Sequence, residues 1–213
     1  GHTEITASVS QPVVVGNISS LVAKDKLITT EGTRVGDLLI LTKTTGLEGT
    51  SMLFAEKRRV LGSVLSTELQ HEAQQIRTTF GISIVKEALL AAQHGATAMH
   101  DPTEGGVAMG LYELAAASGL GMQIELDRIP TLPSTTSICG HFGINPLGLI
   151  SSGTLLLTIA SDKWRDLEKV LQTEGIPSKV IGTISKEPGI QARFNGKPLR
   201  FAYSETNELL KVL

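Results

Sequence analysis

The stretch "AMHDPTEGGVAMGLYELAAASG", Ala98 to Gly119, decides how the rest of the sequence is read. A short run ends in an acid, a proline, a threonine and a second acid, then meets two adjacent glycines just where an amphipathic helix begins. Val107, Leu111, Leu114, Ala115 and Ser118 recur at helical spacing and define one buried stripe. Glu113 lies off that stripe, and Gly119 ends the helix. Glycine is a poor residue near a helix start unless something comes close to the backbone. Two readings stay open. In one, Gly105 and Gly106 let a phosphate reach the unpaired N–H groups of the first helical turn. Thr103 then caps the helix or donates to a phosphate oxygen, and Asp101 holds a metal-bound water or orients the loop. Glu104 repels a bare phosphate, so it requires Mg2+ or an outward turn. In the other reading the glycine pair only lets the helix pack tightly on its strand, and Asp101-Pro102 is a turn.

Working outward, "TKTTGLEGTSM" repeats the pattern. A strand over Leu38 to Thr42, entered through a Gly36-Asp37 turn, runs into a loop with Gly46 and Gly49. A helix follows, with Thr50 or Ser51 as its N-cap. Lys43 is the counter-charge this loop offers, but the loop lacks the Gly-Lys-Ser/Thr ending of a P-loop. "GHTE", Gly1 to Glu4, reads either as a metal or nucleotide contact or as a frayed terminus. His71, His94, His100 and His141 show no metal-ligand spacing, and Cys139 reads as an ordinary buried residue.

The remaining pattern interleaves strands and helices. Residues 4–22 read as strands, with Pro12 as a break or edge position. Ser66 to Ala92 reads as helix, first with Leu69, Ala73, Ile76 and Phe80 at helical spacing, then with Val85, Leu89 and Ala92. Gly95 closes it and a strand starts at Ala96. Further strands are expected at "GMQIELDRIP", "GTLLLTIA", "SKVIGTI", "GIQARFN" and "KPLRFAY", the last two joined by an Asn195-Gly196 hairpin. Pro133 opens a short helix. A longer one starts with Ser161 as N-cap and turns Trp164, Leu167, Val170 and Leu171 inward. This alternation predicts a mixed α/β sheet with helices packed on it.

Composition sets the outer bounds. The 213 residues suffice for one large domain or two small ones, and 41% of them are hydrophobic while only 4% are aromatic. Aliphatic packing must therefore carry the core. A formal charge of −2 gives no electrostatic reason to expect nucleic acid or an anionic membrane. No apolar run approaches the roughly 20 residues that span a bilayer. The opening residues lack the basic and apolar regions of a signal peptide. A single cysteine excludes an internal disulfide and fits a reducing, cytoplasmic setting.

Taken together and in order, "GHTEIT", "GTRVGDLLILTKTTGLEGTSML", "HGATAMHDPTEGGVAMGLYELAAASGLGMQIELDRIP" and "GINPLGLISSGTLLLTIA" resemble the aminoimidazole ribonucleotide (AIR) synthase-related, PurM-like superfamily. The likeness is greatest to its hydrogenase-maturation HypE branch and runs from residue 1 to about Ile184. It implies an α/β (α+β) fold with a PurM-like C-terminal domain over 34–213, its mixed sheet covered by helices. It implies that residues 1–33 are the end of the N-terminal, ATP-binding domain, kept as remnant strands. The resemblance implies ATP-dependent chemistry that phosphorylates an amide or acyl oxygen and so makes it a leaving group. ATP and Mg2+ would sit in a cleft between the two domains of a homodimer, with a partner maturation protein also implied. Glu4 matches the family's nucleotide- and metal-side acid. Asp101, Thr103, Gly105 and Gly106 match its phosphate-facing loop, and Gly46 and Gly49 its glycine loop into the C-terminal domain. Glu4 and Asp101 are the implied metal ligands. The resemblance tips the glycine pair toward the phosphate reading.

The departures from the family pattern keep an alternative in view. Most of the N-terminal domain is missing from the sequence, so this chain alone is expected to lack part of an ATP site. It ends "NELLKVL", without the cysteine that closes the HypE tail. Glu104 stands where that branch commonly has Arg, and "LEGT" where it often has a histidine. Both changes remove cations or proton donors near phosphate. The alternative is a non-catalytic binding or assembly module that kept the fold.

Overall fold

The computed structural model describes Thr3, residues 5–204 and residues 206–213. The strand patterns resolve into one sheet made of β1 (Leu38–Thr42), β2 (Ala96–His100), β3 (Gly121–Glu125), β4 (Leu156–Ile159), β5 (Ser178–Ser185), β6 (Gly189–Phe194) and β7 (Lys197–Leu199). Their order is β2-β4-β1-β5-β3-β6-β7. Each neighbouring pair is antiparallel except β3 with β6. The helices are α1 (Leu47–Glu56), α2 (Arg58–Val64), α3 (Thr67–Thr79), α4 (Val85–Gln93), α5 (Gly106–Ser118), α6 (Pro133–Phe142) and α7 (Ser161–Thr173). The mixed α/β class expected from the alternation is the one observed.

Side chains alternate along a strand, so each face of the sheet takes its own helices. On one face α5 lays Val107, Leu111 and Leu114 against Leu39, Leu41, Met122 and Leu156. On the other, α4 and α7 bring Ala91, Trp164, Leu167 and Leu171 onto Ile40, Leu155 and Leu157. A third cluster gathers Leu53, Leu61, Ala73, Ile138 and Leu149 from α1, α2, α3, α6 and a connecting segment. Each fully buried leucine contributes about 1.5–3 kcal/mol, so these clusters fix where the loops between them lie.

Five expectations fail. The strands expected over residues 4–22 do not form among the described residues, and Ile5, Val14, Ile18 and Leu21 are almost fully exposed. A β-branched pattern needs a neighbouring strand to pair with, and none lies beside this segment. The helix expected from Ser66 to Ala92 is two helices, α3 and α4, parted at the left-handed Gly81 (φ 66°). The anticipated Val85, Leu89 and Ala92 stripe faces solvent. Instead α4 turns Glu87 and Ala91 inward, because Glu87 forms a buried ion pair with Lys43 at 2.7 Å. Helix α1 starts at Leu47 behind Gly46, so Thr50 and Ser51 lie inside it rather than capping it. Ala160, not Ser161, is the N-cap of α7. The hairpin at Asn195-Gly196 is present, although its second strand stops at Leu199.

Candidate functional site

β1 and β2 finish at the same end of the sheet, Leu41 and His100 both paired with Leu156 of β4. β1 leads through Thr44, Thr45 and Gly46 into α1, and β2 leads through Asp101 to Gly105 into α5. Gly46 and Gly105 both cap their helices in the left-handed conformation, at φ 69° and 74°. The segment Asn145 to Ser151 crosses between the two helix starts like a crossbeam. Ser151 is fully buried and ties both sides to it. Its Oγ accepts from the Gly46 N–H at 2.8 Å, and its own N–H donates to the Thr103 carbonyl at 3.2 Å.

The glycines make this closeness possible. A Cβ on Gly106 would stand 2.5 Å from the carbonyl oxygens of both Leu147 and Leu149. A Cβ on Gly49 would meet the Leu149 side chain at 2.4 Å, and the Gly49 N–H donates to the Ile150 carbonyl. Gly106 adds a φ of 62°, which side-chain-bearing residues rarely adopt. The packing reading of the glycine pair is therefore met in full. It also changes what a bulky substitution tests: Gly106→Val would break the crossbeam contact rather than report on phosphate alone.

The two loops differ in what remains available. The Thr44 and Thr45 hydroxyls donate to the Pro130 and Pro146 carbonyls, and Thr50 pairs with Thr135 at 2.8 Å. Lys43 is drawn away from the loop it was expected to serve. Its ammonium bonds to the Ser83 carbonyl at 2.9 Å and pairs with Glu87, both side chains being less than a tenth exposed. The second loop keeps an open lip. Asp101, Thr103 and Glu104 are exposed, whereas Pro102, Gly105 and Gly106 are buried beneath them. Thr103 does not cap α5 with its side chain; Gly105 is the N-cap, and the Thr103 carbonyl accepts from Gly106 and Ser151. The Asp101 carboxyl is held above the usual aspartate range. Desolvation at the loop is the main cause; His100 opposes it, and the charges of Glu48 and Glu87 add to it. His100 itself pairs with Glu113 at 2.7 Å.

Of the residues singled out from sequence, Gly46, Gly49, Asp101, Thr103, Gly105 and Gly106 thus converge on one end of the sheet. Glu4 lies outside the described residues. Among the described residues, no three His, Cys, Asp or Glu side chains gather closely enough to hold a metal ion. Sequence reasoning missed Ser151, whose only signal is a serine between two apolar runs. Cys139 is buried as expected, and burial together with the Glu208 charge pushes its thiol up to about 12. No helix among the described residues is long and apolar enough to cross a membrane.

A mixed sheet with helices on both faces and two strand–glycine–helix turns at one end defines the class. The chain belongs to the family of AIR synthase related proteins, C-terminal domain, whose model matches residues 34–195. It is 32% identical to the carbamoyl dehydratase HypE of Cupriavidus necator over 135 residues, which cover 63% of this chain and 36% of that protein. It is 27% identical to the phosphoribosylformylglycinamidine synthase subunit PurL of Saccharolobus islandicus, over 96% of this chain and 29% of that one. Among solved structures it is similar to Escherichia coli HypE, with a TM-score of 0.70 at 20% identity over 87% of this chain and 55% of the other. A HypE structure in complex with ATP matches with a TM-score of 0.66 at 18% identity, over 89% and 57%. The chain thus spans between 29% and 57% of these relatives' lengths.

Proposed function

We propose that this chain forms the C-terminal side of a nucleotide site in an ATP-dependent, HypE-like enzyme that activates an amide or acyl oxygen by phosphorylation. In this reading residues 34–213 are the C-terminal domain and residues 1–33 the end of the preceding one. The observation that carries it is the open lip. The Thr103 hydroxyl and the Asp101 carboxylate lie at the surface over the buried first turn of α5, while the rest of both loops is locked into the crossbeam. The Val107 and Ala108 N–H groups and the Thr103 hydroxyl donate to phosphate oxygens. Gly46 and Gly49 serve indirectly, by letting α1 lie close enough to hold the crossbeam in place. With no cluster of three protein ligands among the described residues, Mg2+ would be held by phosphate oxygens, water and Asp101, a common arrangement for nucleotide-bound magnesium. When bound, it neutralises phosphate charge beside Glu48 and Glu104. Glu4, outside the described residues, is the second acid of this reading, a second copy of the chain completes a homodimer, and a maturation partner supplies or receives the activated group.

The relatives support this reading through their own names: a carbamoyl dehydratase, a synthase subunit and a structure with ATP bound. The test is Mg·ATP binding by calorimetry and amide chemical shifts, on this chain and on the longest natural form that contains it. Shifts centred on Gly105 to Ala108, weakened about tenfold by Thr103→Ala or Asp101→Asn, are the expected result. Binding to neither form would sink the proposal. That outcome favours the second reading, an assembly module without catalysis. Its specific support is the acidity of the lip, where Asp101, Glu104 and Glu48 stand together while Lys43 is committed to Glu87.

A further inference from the structure

At the opposite end of the sheet, where β2 begins and α7 starts, lies a cavity of about 590 Å3. Its size falls within the range of small-molecule sites, roughly 300–1,000 Å3. Three cations from separate parts of the chain line it: Lys26 ahead of the sheet, Arg34 just before β1, and Lys163 in the first turn of α7. Asp25 is the acid on its wall. Among the described residues none of these three cations forms an ion pair. Like charges do not converge on one cavity without cost, so an uncompensated cluster of this kind favours a bound anion.

The fold positions Lys163 and the Arg34 backbone at this cavity. Gly95, left-handed at φ 82°, leaves room for Lys163: a Cβ at that position would stand 2.7 Å from its Nζ. Asp37 is adjacent but buried, and its Oδ2 is already bonded to the Arg34 N–H at 3.0 Å and the Thr97 hydroxyl at 2.6 Å. It fixes the backbone of Arg34 and the side chain of Thr97, and its carboxylate offsets part of the cations' charge. Leu27, Ile28 and Ala92 supply an apolar wall beside the cations.

We propose that this cavity is a binding site for a small organic phosphate, separate from the glycine loops. Three cations against Asp25 and the adjacent Asp37 leave an excess of one positive charge at the cavity, which favours an anion such as a phosphate monoester. The guanidinium fork of Arg34 matches two phosphate oxygens, and the lysines neutralise what remains. The apolar wall takes the organic body, which the cavity volume has room for and a bare phosphate would not fill.

The test titrates the whole chain with phenyl phosphate while amide shifts are followed, against inorganic phosphate and against sodium sulfate at equal ionic strength. The expected result is saturable shifts at Gly95, Ala96 and Lys163, with phenyl phosphate binding more tightly than inorganic phosphate. Arg34→Gln or Lys163→Gln weakens it about tenfold, and the triple variant with Lys26→Gln weakens it further. All three side chains are exposed, so the variants keep the fold, which their melting curves check. Unchanged affinity in the triple variant overturns the site. So does an equal response to sulfate, or shifts confined to Gly46, Gly105 and Gly106. Equal affinity for inorganic phosphate overturns the assignment of an organic ligand. Because none of these readings uses ATP, the outcome is independent of the nucleotide site proposed above.

Discussion

Gly46 and Gly105 stand in the same place in two copies of one local design. Each follows a strand, each is left-handed, and each starts a helix at the same end of the sheet. Around Gly46 the hydroxyls of Thr44, Thr45 and Thr50 are bonded inside the protein, and Lys43 is locked to Glu87. After Asp101 the backbone is equally committed, yet the Thr103 hydroxyl and the Asp101 carboxylate stay at the surface. The contrast separates two meanings of a glycine-rich turn. Glycine spacing records where two stretches of backbone must approach; only the polar groups left over around it point to a ligand.

The comparison is broken most severely by removing what holds the first loop. Glu87→Ala leaves Lys43 buried without its partner and is expected to cost about 3–5 kcal/mol in urea unfolding. A double replacement by apolar residues of similar volume at 43 and 87 should recover most of that loss. Gly106→Ala comes next, at about 3 kcal/mol, because the new methyl meets two carbonyl oxygens in a left-handed backbone. A cost below 1 kcal/mol would show that close approach is not what requires glycine there. Ser151→Ala strands the Gly46 N–H in the interior and should cost about 1–3 kcal/mol, with no shift in oligomeric state.

The smallest effect sharpens the comparison at the open lip. The Asp101 carboxyl is held above its ordinary value of 3.8 in the folded chain. Folding therefore binds extra proton in the interval above that value, and stability falls as pH rises through it. Asp101→Asn should flatten this part of the stability–pH curve and leave the fold intact. A curve unchanged by that substitution would show that the lip does not desolvate the carboxylate.

Much of the fold was legible because it rests on short-range rules. The strand at Leu38, the glycine-bounded helix from Gly106 to Ser118, the Pro133 start and the Asn195-Gly196 hairpin follow from periodicity and turn chemistry. The failures share a cause: tertiary partners that spacing does not show. Residues 5–22 have strand composition but, among the described residues, no strand beside them. Helix α4 is rotated by an ion pair reaching back to Lys43, 44 positions earlier in the chain. Ser151 was invisible for the same reason, since its two partners lie in loops about 50 and 100 residues away. The candidate lip was legible as a motif, but the withdrawal of Lys43 from it was not.

The crossbeam also constrains how this sequence can drift. The Leu149 side chain fills the space a methyl on Gly49 would occupy, while the Leu149 carbonyl fills the space a methyl on Gly106 would occupy. Position 49 can gain a side chain only if position 149 shrinks. Position 106 has no such exchange, because no substitution at 149 removes a main-chain oxygen. Across divergent relatives, 49 and 149 should therefore vary as a pair, and 106 should stay glycine even in lineages that have lost the chemistry of the lip.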